Sequence, residues 1–324
     1  MTHPIFNVIA PGPLTTIQDG GRPAARRYGV PEGGAMDEFA LRAANKLVGN
    51  APLAAALEVT LGGLTLAVLA PCVVAIAAAA LDLRCDGRAL PLWTACLLRQ
   101  GERLELGQRQ GGARAYLALG GGIATAMVLG GSGTDIGGGF GGIAGRALRA
   151  RDVIYSNGAT AARDAPAVGA WLPPARRPAY CAAPLLRVMA GPHAQAFSAA
   201  TRATLLKAEY RVSPQSNRMG YRLVGPSLAA RPGTTVPSLG VVGGVIQVPP
   251  GGGPILLMAD AQTTGGYPII GTVIGADLPL AAQLLPGDTV RFAAVSLREA
   301  HVALAAQRAL LVAPPDDDNI GAPI

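Results

Sequence analysis

The chain has 324 residues, half of them apolar, with 44 glycines and 27 prolines. That length buries a large core in one to three domains, and the composition is globular and rich in turns. A formal charge of +7 comes from scattered arginines without a basic run or interleaved aromatics, which excludes nucleic acid as a partner and suits anionic ligands.

Cys72, Cys85, Cys96 and Cys181 form no Cys-x-x-Cys pair, so reduced thiols in a cytoplasmic protein are expected. His3, His193 and His301 are too dispersed for a metal site. The opening Met-Thr-His-Pro lacks a basic segment followed by an apolar core, so no signal peptide is expected. The uncharged run between Glu58 and Asp82 is long enough to span a bilayer. Gly62-Gly63 and Pro71 break it into Leu64–Leu69 and Cys72–Ile76, which read as two core strands, and no membrane span is expected.

Ile5–Ala10 is predicted as the first strand, ending in a Gly-rich turn that exposes Gln18, Asp19 and Arg22. After Gly33-Gly34-Ala35-Met36, Asp37 stands at the N-cap of a helix. Phe39, Leu41, Ala44, Leu47 and Val48 follow at helical spacing, and the helix stops near Gly49-Asn50. Glu58 lies inside an apolar strand, where a carboxylate needs a partner. It is therefore either a site residue or an arginine-paired structural group. Asp86-Gly87, Gln100-Gly101-Glu102 and Gly111-Gly112 read as turns between short strands, the rhythm of a barrel or sandwich. The patterns Gly101–Leu106 and Gly287–Phe292 match, a hint of two similar β-rich halves. The glycine tract 130–145 could cradle phosphate, but no Walker pattern accompanies it. A surface loop fits the tract equally well.

Residues 156–183, rich in Ala, Pro and Arg, read as a linker. Leu185–Met189 restarts a strand, and helices are expected over Ala196–Ala208, Asp277–Leu284 and Ser296–Leu311. Residues 313–324 read as a disordered acidic tail. The densest polar chemistry is Asp260-Ala-Gln262-Thr263-Thr264-Gly265-Gly266-Tyr267-Pro268, at the end of the apolar run Pro254–Ala259. Such a loop serves either as a small-molecule site or as a hairpin turn with capping hydroxyls, and the pattern leaves both open. A second polar knot is Ser216-Asn217-Arg218-Met219-Gly220-Tyr221-Arg222-Leu223.

These two knots, together with Ile246-Gln247-Val248-Pro249-Pro250 and the opening Pro11-Gly12…Thr15-Thr16-Ile17-Gln18-Asp19, resemble the KipA / allophanate hydrolase subunit 2 family. The likeness runs over most of residues 5–300. It implies a mainly β protein of two cyclophilin-like barrel halves, over 1–155 and 184–312. It also implies partners: a KipI-like protein, which is the B subunit of 5-oxoprolinase, and a further A subunit. With them the family uses ATP and Mg to open 5-oxoproline to glutamate. The alternatives within the resemblance are a urea carboxylase-like carboxyltransferase and a KipA-like regulator without turnover. Biotin for the carboxyltransferase would come on a separate protein, because no Met-Lys-Met occurs here.

Both chemistries hold an amide or lactam by hydrogen bonds while oxyanion charge develops. On that logic Asn217 and Gln262 orient the substrate, Arg218 balances an anionic group, and Asp260 or Tyr267 transfers a proton. Thr263, Thr264, Gly265, Gly266, Ser216, Tyr221, Gln18, Asp19, Met36, Asp37 and Glu58 are the further substrate-binding candidates, with the N-terminal turns expected to meet the C-terminal loops. The chain departs from the family pattern at Ala77–Ala80, Ser132, Leu239, Ala261 and Ile269, each expected to be charged or polar and to lie mostly near the cleft.

Overall fold

The computed structural model describes residues 2–158 and 168–312. The expected acidic tail and the centre of the expected linker lie outside them. The described chain divides into two compact units: residues 2–21, 37–158, 168–178 and 310–312 form the first, and 22–36 and 179–309 the second.

The first unit is a nine-stranded antiparallel sheet. Its strands are β1 (His3–Pro11), β2 (Leu14–Gln18), β3 (Ala56–Thr60), β4 (Gly62–Val68), β5 (Cys72–Cys85), β6 (Arg88–Ala89), β7 (Ala95–Leu98), β8 (Arg103–Leu119) and β9 (Val153–Ser156). The path runs β2-β3-β8-β4-β1-β9, and β5 pairs with β6, β7 and β8. The alternating burial of β4 sends Leu64, Leu66 and Val68 into the core beside Leu57, Leu117 and Ile17. The uncharged run 59–81 is therefore core strand, as its punctuation indicated. The turn expected at Gly111-Gly112 is absent, since β8 passes straight through these residues. The pairing slips opposite them, between Ala78 and Leu83 of β5. Bulges of this kind bend a long strand pair, so one strand replaces the two that a turn would have made.

Helix α1 (Glu38–Leu47) starts where expected: the Asp37 carboxylate accepts the Ala40 N–H at 2.9 Å. Its buried face carries Phe39, Leu41, Ala44 and Leu47. Residues 168–178 are packed rather than loose. Ala170 and Leu172 are buried, and the Arg177 guanidinium lies over the Trp93 and Trp171 rings.

The second unit is a closed seven-stranded barrel. It comprises β10 (Leu185–Ala190), β11 (Tyr210–Val212), β12 (Gly220–Val224), β14 (Val245–Gln247), β15 (Ile255–Leu257), β17 (Ile269–Val273) and β18 (Thr289–Ala294). Two further strands, β13 (Leu239–Gly240) and β16 (Thr264–Gly265), pair only with each other. Parallel pairing of β10 with β18 closes the barrel, and its interior is filled by Leu186, Tyr210, Leu223, Ile246, Leu256 and Phe292. Helix α2 (Ala199–Lys207) is capped by Ser198, and α3 (Leu278–Ala282) is a short turn. Helix α4 (Leu297–Val312) begins with a reciprocal Ser296–Glu299 capping box. The mainly β, two-barrel expectation holds, with one barrel closed and the other open as a half-barrel.

Candidate functional site

The two C-terminal polar knots meet in the second unit. The chain turns tightly at Asn217–Gly220 into β12, and it leaves β15 through Met258-Ala259 into Asp260. Backbone bonds from Met258 N–H to Met219 O (3.0 Å) and from Asp260 N–H to Arg218 O (2.9 Å) lock the two turns together. The Arg218 guanidinium then meets the Asp260 carboxylate in a two-point fork, Nε to Oδ2 at 2.8 Å and Nη2 to Oδ1 at 2.9 Å. Nη2 also donates to Gly34 O at 2.6 Å. The turn at 31–36 is fixed beside the pair, because Gly33 N–H bonds Ala259 O and Glu32 O accepts the Arg22 N–H. The turn at 31–36 thus meets the C-terminal loops inside this unit.

Arg218 is 8% exposed at its side chain and Asp260 23%. A fork of this geometry holds a carboxylate rigidly, while partial exposure leaves it reachable. The guanidinium charge is answered by Asp260 within the chain. Arg218 thus holds the Asp260 carboxylate, an anionic group within the chain.

The second polar group is a pair of glutamines. Gln247 is 2% exposed and sits at the end of β14, where the register against β17 slips between Ile246 and Gln247. Gln262 Nε2 donates to its Oε1 at 3.2 Å. Above them Thr264–Gly265 pairs with Leu239–Gly240, and Val241 N–H bonds Thr263 O. Thr264, Gly266 and Tyr267 are exposed. On the neighbouring stave, His193 Nδ1 accepts the Ile269 N–H at 3.1 Å.

Several expected site residues make contacts within their own turns or the core. Asn217 is exposed, and its side-chain oxygen accepts the Met219 N–H within the turn. Ser216 Oγ accepts the Arg222 N–H. Tyr221 and Met36 are buried in the barrel core. The departures from the family pattern also have a packing explanation. Ala261 and Ile269 are buried with Val241, Val245 and Leu257, and Leu239 packs against them. Three positions expected to be polar thus form one apolar cluster. Ala77 and Ala78 are likewise buried in β5.

Gln18, Asp19, Asp37 and Glu58 belong to the first unit. Tyr116 Oη donates to Glu58 Oε2 at 2.6 Å and accepts the Asp37 N–H at 2.8 Å, and Arg114 lies 3.7 Å from Glu58. Glu58, Asp37 and Tyr116 are each at most 1% exposed. Burial and the neighbouring Glu58 charge push the Tyr116 phenol well above its ordinary value, so it stays a neutral donor. This is a structural knot, and Tyr116 is the member that the sequence did not single out. Gln18 Nε2 bonds Thr16 Oγ1 and Thr134 O. Asp19 accepts the N–H groups of Gly21 and Ser132, pinning the start of the glycine tract.

The N–H groups of Gly131, Ser132, Thr134, Asp135, Gly138, Gly139, Phe140, Gly142, Gly145 and Arg146 are all engaged within the unit. A phosphate nest needs such donors converging and unengaged. Among the described residues no group of three His, Cys, Asp or Glu side chains could hold a metal ion.

Residues 28–294 match the family described as carboxyltransferase domain, subdomain A and B. The chain is 40% identical over 299 residues to the C subunit of 5-oxoprolinase from Escherichia coli (strain K12), covering 91% of this chain and 93% of that one. It is 34% identical over 311 residues to a putative urea carboxylase of Emericella nidulans, of which it covers 25%. Among solved structures, the K. lactis urea amidolyase superposes with a TM-score of 0.87 at 28% identity. That match covers 95% of this chain and a fifth of the amidolyase, whose length is therefore mostly outside the likeness.

Proposed function

We propose, proceeding from the fact that this chain belongs to the carboxyltransferase-domain family (subdomains A and B), that it serves as the C subunit of a cytoplasmic, ATP-dependent 5-oxoprolinase. The observation that carries this reading is the end-to-end match: 40% identity over nine-tenths of both chains to a protein of that name. The urea carboxylase relative, by contrast, is four times as long as the matched part.

The reaction opens a lactam to glutamate. Amide resonance makes the lactam carbonyl a poor electrophile, so the ring must be activated before water attacks. In this reading ATP with Mg acts on partner subunits of the A and B kinds, because ten of the glycine tract's N–H donors are already engaged within the unit. The work of this chain is to hold the lactam. Gln262 supplies amide-matching hydrogen bonds, and Asp260, clamped by Arg218, is the proton acceptor beside it. Preorganised dipoles at the ring are worth most where water is excluded.

The test is co-expression with the two partner subunits, isolation of the complex, and measurement of glutamate released from 5-oxoproline with ATP. Release that requires all three subunits supports the reading. A stable complex without release overturns it and leaves a KipA-like binding role. Carboxylation of urea from biotin on a separate carrier would favour the carboxyltransferase alternative, to which the likeness to urea amidolyase points.

A further inference from the structure

Glutamine is seldom fully buried in a barrel strand, and Gln247 is buried while only half satisfied. Its Oε1 accepts from Gln262 Nε2, but its own Nε2 has no partner among the described residues. Orphaned buried amides are destabilising and call for a reason. Two features show that the arrangement is built. The register against β17 slips at Gln247, an irregularity of the kind that re-aims a side chain. Gly265 leaves room for it, because a Cβ there would stand 2.4 Å from Gln247 Nε2. Gln247 is thus turned to satisfy Gln262 rather than itself.

We propose that Gln247 is a positioning residue that fixes the carboxamide of Gln262 in one orientation, so that Gln262 reads the amide edge of the substrate. A lactam, like urea, presents N–H and C=O side by side on one edge. A primary carboxamide complements that edge with two parallel hydrogen bonds, its oxygen accepting and its N–H donating. Half-buried Gln262 retains both groups. One N–H is given to Gln247, while the other N–H and Oε1 have no partner among the described residues. Unrestrained, a glutamine rotates about its last bond and offers donor and acceptor in either order. The Oε1 of Gln247 only accepts, so it selects one order. The choice of a lactam rests on the 5-oxoprolinase reading, whereas the amide-edge geometry does not.

The test is calorimetric titration of the full chain with 5-oxoproline, with urea, and with the lactone isostere of 5-oxoproline, which has a ring oxygen in place of N–H. We expect 5-oxoproline to bind about tenfold tighter than the lactone, the difference of one well-made hydrogen bond. Gln262→Met should abolish that discrimination. Gln247→Met should reduce it to about twofold, and the double variant should behave as Gln262→Met alone, because one residue acts through the other. Gln247→Glu, which still accepts from Gln262, should retain part of the discrimination, an outcome that a merely structural role would not produce. Thermal melts of each variant confirm folding. Full discrimination in Gln247→Met, multiplying effects in the double variant, or failure of both amides to bind would overturn the inference. If urea binds and both substitutions weaken it while 5-oxoproline does not bind, the positioning role stands and the 5-oxoprolinase reading falls.

Discussion

Replacing Tyr116 by Phe removes one oxygen from the interior of the first unit, and the structure sets what that should cost. The hydroxyl donates to Glu58 Oε2 and accepts the N–H of Asp37, the residue that caps α1. All three residues are essentially inaccessible to water. The variant therefore leaves a buried carboxylate oxygen short of a donor and a buried N–H short of an acceptor. Each such orphan costs roughly 1–3 kcal/mol, the charged one at the upper end, and removing the buried hydroxyl itself gives a little back. A loss of about 2–4 kcal/mol is expected, a large share of the ~5–15 kcal/mol that stabilises a typical domain. Both tryptophans, Trp93 and Trp171, lie in the first unit, so fluorescence during urea unfolding follows that unit. With a slope of about 2 kcal/mol per molar, the midpoint should fall by roughly 1–2 M. The affinity for 5-oxoproline should be unchanged, because the knot is structural. A midpoint shift below about 0.3 M would refute the reasoning, and so would weakened lactam binding in a folded variant.

Arg218→Met should loosen the turn at 31–36, since it removes the fork on Asp260 and the bond to Gly34 O. Breaking a fully buried pair costs ~3–5 kcal/mol; the partial exposure of Asp260 reduces that to about 2. The Gly33 amide, bonded to Ala259 O, should exchange hydrogen faster, and unchanged exchange would count against the clamp. Gly265→Ala places a Cβ against Gln247 Nε2, so the lactam affinity should drop several-fold with little change in melting temperature; an unaltered affinity would contradict that placement. Burial first, then the Glu102 charge, pushes the Cys72 thiol up to about 12 and Cys85 to about 11, and burial alone lifts Cys96 to about 11. Their folded values lie above the unfolded value of ~8.5. The linked stability is thus full below about pH 8.5 and is lost as pH rises toward 11–12. The urea midpoint should be flat from pH 7 to 8 and fall above about pH 9, and thiol reagents should label only the exposed Cys181 in the native chain.

Much of the fold was legible because its signals are local. The Asp37 cap, the helical spacing that follows it and the punctuation of the run after Glu58 each act within a few residues. Gly111-Gly112 misled because β8 needed glycine to bend, not to turn, and that need arises from the pairing with β5 far along the chain. The site was legible as a set of polar stretches but not in its division of labour. That Arg218 serves Asp260, that Ser216 and Asn217 serve their own turns, and that Leu239, Ala261 and Ile269 pack on one another are consequences of barrel closure. Gln247 carried a readable signal, an amide between Ile246 and Val248 in an apolar strand, whose meaning depends on the distant Gly265 and Gln262.

The most direct measurement is ATP-dependent glutamate release by the assembled complex carrying Asp260→Asn in this chain. A proton acceptor at the lactam contributes about 10²–10⁴-fold to the rate. The variant complex should therefore assemble normally and turn over at least a hundredfold more slowly, with the lactam KM little changed. Wild-type turnover by that complex would contradict the placement of the chemistry at Asp260.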